Sequence, residues 1–301
     1  MISYLAAVLT ALANAASNVL NRKATRDEPA RFQFRLALIA DLMRRPTWLA
    51  AVGMMILSFV LGAAALGTGQ LAAVEPIIAL ELPVTVLGES LLLGSRLRKP
   101  GWAAIAAMTA GLAGLLVSLD PRAGPSTPVT PAAWILGSAA NGGAVAALFL
   151  AGWVSRSPAR RAALLGTGCG LAYGLASAYT KGMTQQFSTG GVLAAIASWQ
   201  LYAAVAAGAI ATWLLQNAYH AGRLAAAQPG VTLADPVAAM AWGAAAFGER
   251  LRQGVFLIPA VLSVLVVAAA VVVLSRSPRM QGAAGESEQA STQQAGSDEA
   301  A

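Results

Sequence analysis

Residues 69–83 read G-Q-L-A-A-V-E-P-I-I-A-L-E-L-P, and residues 222–236 read G-R-L-A-A-A-Q-P-G-V-T-L-A-D-P. The two stretches stand 153 residues apart and share the glycine, Leu-Ala-Ala, both prolines and the leucine between them. Each opens a long apolar segment. Self-similarity at this distance is the mark of a duplicated unit. Paired proline-broken apolar segments in the two copies are the sequence pointer to a solute site between transporter halves.

Composition bounds the class. Hydrophobic residues make up 57% of the 301 and charged residues 11%, against about 45–50% and about 25% in a soluble domain. So few charges would not cover a soluble surface. The formal net charge is +7, but no basic stripe with interleaved aromatics is present, which excludes nucleic acid as a partner. The partner implied is the lipid bilayer. The lone Cys169 excludes an internal disulfide and a cysteine metal cage; it reads as a small packing residue. The lone His220 reads as a solvated residue at a helix boundary. At the N-terminus, Arg22 and Lys23 follow the apolar run and no basic residue precedes it. A cleaved signal has the opposite flanks, so this run reads as a first spanning helix.

Apolar windows of about 20 residues fall at 2–21, 48–67, 71–94, 101–119, 132–153, 161–181, 191–215, 219–247 and 255–275. The expected fold is therefore all-α: a polytopic membrane bundle of about nine helices. Residues 31–45 alternate apolar and basic side chains at helical spacing, as in a helix lying on the membrane surface. With the N-terminus outside, sixteen lysines and arginines fall on the inner side and four (Arg122, Lys181, Arg250, Arg252) on the outer. That bias predicts a multi-pass cell-membrane protein with an external N-terminus and a cytoplasmic C-terminus.

The repeat extends past the prolines, to Gly94-Ser95-Arg96-Leu97-Arg98 and Gly248-Glu249-Arg250-Leu251-Arg252, and upstream to Ala16-Ser17 and Ala176-Ser177. Helices one to four match six to nine, with helix five between. The odd linker makes the repeat inverted, in a 4+1+4 order. The expected organisation is a first repeat over 1–119, an external proline-rich loop over 120–131, a linking helix over 132–153, a second repeat over 154–275 and a disordered cytoplasmic tail over 276–301.

The stretch A-Y-H-A-G-R-L-A-A-A-Q-P-G-V-T-L-A-D-P-V-A-A-M-A-W-G-A-A-A-F-G-E-R-L over 218–251, followed by a last helix, resembles the EamA-like group of the drug/metabolite transporter superfamily. Residues 65–97 are a weaker match, with Ser95 where the family pattern usually has glutamate. The resemblance covers the chain to about Leu274 and implies a transporter without naming its solute. EamA-like proteins typically have ten helices. This chain lacks the second helix of each half and adds a central one, a departure similar to the NIPA-type branch, which is associated with magnesium transport.

Four acids fall inside the apparent spans: Glu75, Glu81, Glu89 and Asp235. Acids at helix centres face the bundle interior or water. Glu81 and Asp235 lie near midspan beside Pro83 and Pro236. At 100° per residue Glu75, Glu81 and Glu89 occupy one broad side. They suit a cation, an amine or a proton-coupled solute; if a metal ion is carried, Glu81 and Asp235 are its ligands. Glu89 also suits pairing with Arg96 or Arg98, and Glu75 simple solvation. Pro76, Pro83, Pro229 and Pro236 break helices, and the last of each pair is expected to free a carbonyl, on Ala79 and on Thr232. Asn14, Ser17 and Asn18 share a face of helix one, and Tyr173, Ser177 and Lys181 a face of helix six. Trp242 lies deep enough to stack on an organic solute or to pack in the core. Trp48, Trp102, Trp134 and Trp153 read as interfacial belts. Lys181 is expected to snorkel to the outer surface, Glu249 to cap its helix or pair with Arg250 or Arg252, and Asn141 beside Gly142-Gly143 to mediate close packing.

The function expected is a secondary transporter that moves a small organic solute or Mg²⁺ by alternating access. A flippase for a lipid-linked sugar and a non-transporting scaffold are the alternatives. No nucleophile–base pair, ATP motif or cofactor signature points to an enzyme. A homodimer is compatible with everything above.

Overall fold

The computed structural model describes residues 1–26, 46–92, 99–124, 129–222 and 224–275. The expected surface helix over 31–45, the arginines at 96 and 98, and the tail after 275 lie outside the described residues. Every regular element described is helical: α1 (Ile2–Arg26), α2 (Pro46–Thr68), α3 (Leu71–Ile78), α4 (Glu81–Leu92), α5 (Lys99–Leu119), α6 (Pro131–Trp153), α7 (Pro158–Ala197), α8 (Trp199–Ala221), α9 (Leu224–Ala245) and α10 (Leu257–Ser275), with a 3₁₀ turn at Gly254–Phe256.

Seven segments among the described residues are long and apolar enough to cross a membrane, with α3 and α4 counting as one. The chain is thus a helical bundle with the dimensions of a membrane protein. The two long helices that fall short, α7 and α9, are the ones that carry Tyr173, Thr180, Lys181, Gln228, Thr232 and Asp235. Their polarity is what a helix facing the inside of a bundle requires, because polar groups turned to lipid would go unsatisfied.

Two boundaries differ from the sequence reading. The expected single helix over 71–94 is two helices that meet at Ala79-Leu80. The expected pair 161–181 and 191–215 differs in its boundaries: α7 runs past 181 to a kink at Gly191, a short helical stretch follows to Ala197, and α8 starts at Trp199. Gly191 has φ 70°, which a residue with a side chain seldom adopts.

The helices pack in two sets. In the first, α1 lies against α2 and against α3 and α4; in the second, α7 lies against α8 and α9. Between the sets, α3 packs on α9, α2 on α7, and α5 along α10. The last seam buries Met108, Leu112, Val267, Val271 and Leu274. In lipid such a seam is held by van der Waals packing, since lipid tails are as apolar as leucine. The linking helix α6 rests mainly on α7 and buries little beyond Trp134 and Gly152.

The closest approach is between α7 and α9. Gly166, Gly170 and Gly174 repeat every four residues along one face of α7 and meet the α9 backbone at Ala227, Val231 and Asp235. Small residues at this spacing let two backbones touch. This seam fixes the depth at which Asp235 enters the bundle.

Candidate functional site

Three of the acids lie in the same part of the bundle. Glu75 enters from α3, Glu81 from the first turn of α4 and Asp235 from the middle of α9. Glu75 lies within the electrostatic field of Glu81, and Asp235 within that of both. Glu75 is only 5% exposed, so its expected solvation near the outer boundary is corrected. Glu75 and Glu81 stand on either side of the break between α3 and α4 at Ala79-Leu80.

Neutral groups stand beside the carboxylates. Asn14 of α1 lies next to Glu81, and its Oδ1 accepts from Ser58 Oγ of α2 at 2.6 Å. Ser177 of α7 lies next to Glu75. Asp235 Oδ1 is buried with no hydrogen-bond partner, and so is Thr85 Oγ1, one turn along α4 from Glu81. Among the described residues, no lysine or arginine acts on these three carboxylates.

Tyr173 stands beside Asp235, Glu81 and Cys169, and its hydroxyl lies 3.3 Å from Thr212 Oγ1. Along α9, Tyr219 Oη donates to Gln228 Oε1 at 3.3 Å, and Gln228 Nε2 donates to Thr232 Oγ1 at 3.4 Å. Thr232 is thereby tied to a polar chain that sequence reasoning missed. Asn18 does not join the site: it is exposed, whereas Asn14 and Ser17 on the same helix are not. Ser17 Oγ instead donates to Ala51 O at 2.8 Å.

The carbonyl expected to be freed by Pro83 is not left open. The chain tightens at the break, and Leu82 N donates to Ala79 O at 3.3 Å. Pro76 lies inside α3, and α9 runs through both Pro229 and Pro236 without a break. Only the first copy of the repeat is interrupted. Among the described residues no group of three His, Cys, Asp or Glu side chains is placed to hold a metal ion; Glu81 and Asp235 do not form the core of a cage.

Trp242 packs in the core. It is 5% exposed and belongs to an aromatic cluster with Trp134, Tyr179, Trp199 and Phe247, centred on Trp134, whose ring lies 5.4 Å from that of Trp242. Trp134 is therefore no interfacial belt residue, whereas Trp102 and Trp153 are exposed as a belt requires. With its amide oxygen facing the indole, Asn141 accepts from Trp242 Nε1 at 3.1 Å and donates to Leu171 O at 3.2 Å. Gly142 and Gly143 have nothing near them, so the expected close packing rests on the Asn141 side chain and not on those glycines.

The face that carries residues 68–70, 119–124 and 247–256 is closed by polar contacts. Lys181 does not snorkel outward: it is buried, and its ammonium donates to Glu249 Oε1 at 2.9 Å and to Gly69 O at 2.6 Å. Glu249 pairs with neither Arg250 nor Arg252. It caps the start of α3, where Leu71 N donates to Oε1 at 2.6 Å and Ala72 N to Oε2 at 2.9 Å. Nearer solvent, Asp120 accepts from Arg122 and Arg252, each at 2.8 Å. These hydrogen bonds and charges, Arg122 first, hold the Asp120 carboxyl below its usual range. Residues expected to form an extended loop are thus tied by an Arg122–Arg250 backbone pair to the opposite loop.

The chain is similar to an uncharacterized protein of Corynebacterium glutamicum, 27% identical over 263 residues that cover 84% of this chain and 88% of that protein. No family model matches the chain, and no solved structure does.

Proposed function

We propose that the protein is a secondary transporter in the cell membrane, built as an inverted repeat, which carries a small polar or cationic organic solute by alternating access. The observation that carries this reading is the buried, unpartnered Asp235 Oδ1, which lies within the field of Glu75 and Glu81 with, among the described residues, no basic side chain acting on the three. Unpaired charge inside a bundle is costly and marks solute or ion pathways. Protons or a cationic solute would supply the balancing positive charge. Asp235 Oδ1 and Thr85 Oγ1 stand ready as unused hydrogen-bonding atoms.

The packing supports the repeat. The first helix of each set, α1 or α7, carries the two that follow, and the last helices, α5 and α10, lie against each other. The proline-bearing segments of both sets meet at α3 and α9. The charge bias of the sequence places the face closed by Lys181 and Glu249 outside. Resemblance to the EamA-like group of the drug/metabolite transporter superfamily favours the same activity. Magnesium is the weaker cargo here: without a converging set of ligands the ion would have to keep its water shell, as Mg²⁺ often does. The lining favours an organic solute, because Tyr173, Tyr219 and Gln228 offer it faces and hydrogen bonds. The enzyme, flippase and scaffold readings gain no observation of their own.

Proteoliposomes test the proposal. Uptake of a solute found by ligand screening is expected to be saturable and to fall at least tenfold in Glu81→Gln/Asp235→Asn. Uptake unchanged in that double variant would refute the site.

A further inference from the structure

We infer that Lys181 and Glu249 form a latch that shuts the bundle on the face carrying residues 68–70 and 247–256, so that the interior site opens to that face only when the pair separates. This inference rests on the transport reading of the interior site.

Four segments meet at the pair. Glu249 comes from the loop after α9, Lys181 from α7, the acceptor Gly69 O from the turn before α3, and the donors Leu71 N and Ala72 N from the start of α3. The side chains are 11% and 2% exposed, so water hardly competes for them. Both Glu249 oxygens are in use, and Phe247 covers the ammonium at 5.2 Å. Glu249 is fixed in turn by its own backbone, N to Gly243 O at 2.8 Å.

The position gives this pair a role beyond closure. Helix α3 is eight residues long and is held at its first turn by Glu249. Glu75 follows four residues after Leu71, about 6 Å further along the axis. The same short rod therefore carries an acid of the interior site at one point and the closing contact at another. Rotating α3 out of the closed position breaks three hydrogen bonds at once, from Leu71 N and Ala72 N to Glu249 and from Lys181 to Gly69 O. A cluster that is either fully made or fully broken is the kind of two-state element that alternating access needs. The loop contacts Arg122–Arg250 and Arg252 N to Leu119 O at 2.7 Å stitch the same face nearer solvent; the Asp120 ion pairs beside them are exposed and so are weak ties.

A thiol placed at the site provides the test. Thr85 Oγ1 is buried without a hydrogen-bond partner one turn along α4 from Glu81, whereas Cys169 is packed among Ala162, Leu165, Ala172 and Leu214. The reporter chain therefore carries Thr85→Cys and Cys169→Ala, and its reaction with a membrane-impermeant methanethiosulfonate reports access to the interior site. Labelling rates are measured from each side of sealed, oriented vesicles for the reporter chain and for the same chain with Lys181→Met or Glu249→Gln, with Cys169→Ala alone as blank. Glu249→Gln keeps an amide oxygen to accept from α3 and so guards against simple unfolding; gel filtration checks both variants. The latch predicts slow reporter-chain labelling from its own face and at least tenfold faster labelling from that face in both variants. Unchanged rates, or fast reporter-chain labelling from that face, would overturn it. Labelling only from the opposite face in all three chains would remove the latch and leave transport standing. No labelling from either face in any chain would remove both.

Discussion

Gly170→Ala places one methyl group in the tightest seam of the bundle. A Cβ there would stand 2.6 Å from Val231 O and 2.8 Å from Ala234 Cβ. Non-bonded carbon contacts relax to about 3.5–4.0 Å, so α7 and α9 must separate by roughly 1 Å. The neighbour is backbone and has no rotamer by which to yield. Overpacking of this kind costs about 1–3 kcal/mol, and the better helix propensity of alanine returns about 0.5–1 kcal/mol. The net loss is about 1–2 kcal/mol. At ~2–4 °C per kcal/mol the apparent Tm of the purified protein should fall by roughly 2–8 °C. Intrinsic tryptophan fluorescence on heating in detergent is the assay. Gly142→Ala is the control, because a Cβ there meets nothing within 4 Å; it keeps only the propensity gain and should be neutral or slightly stabilising. If Gly170→Ala melts no lower than Gly142→Ala, the α7–α9 seam is not packed as described.

Glu249→Ala removes a buried partner from Lys181 and the cap from α3; a loss of about 3–5 kcal/mol is expected, read by the same melt, and a loss below about 1 kcal/mol would contradict the burial of the pair. Asn141→Leu leaves Trp242 Nε1 without its acceptor, and should cost about 1–3 kcal/mol with a shift in tryptophan emission. The Asp120 ion pairs depend on pH. The carboxyl is held below its usual range, so their contribution is complete at neutral pH and is lost as pH falls through that lowered value. Hydrogen exchange at the Arg122 and Arg250 amides should speed up only in strong acid; acceleration near pH 6 would refute the pairing.

Much of this was legible in the sequence because lipid is a demanding solvent. Apolar length marked the helices, and the cost of charge in the interior singled out Glu75, Glu81 and Asp235. The repeated prolines located the segments that meet at α3 and α9. What was hidden depends on partners far along the chain. Lys181 and Glu249 are 68 residues apart, and each has a satisfying local explanation as a surface residue. The orphan Thr85 had a signal, since it follows Glu81 by four residues on one helix face. Trp134 sits where belts sit, and its burial comes from partners distant in sequence, the four rings around it among them. The proline repeat also misled: it suggested two equivalent breaks, yet α9 stays whole where α3 and α4 part. Helix α9 has the rigid backing of α7 along its glycine face, and the first copy has no such stripe behind it.

The central claim is that Glu81 and Asp235 bind the solute. Thermal-shift titration of the purified protein against divalent cations, amino acids, nucleosides and cationic drugs tests it most directly, with Glu81→Gln and Asp235→Asn run beside the wild type. The account predicts a saturable rise in Tm with at least one polar or cationic organic solute, lost in both variants. A ligand that stabilises all three proteins alike, or a panel that leaves the wild type unmoved, would contradict it.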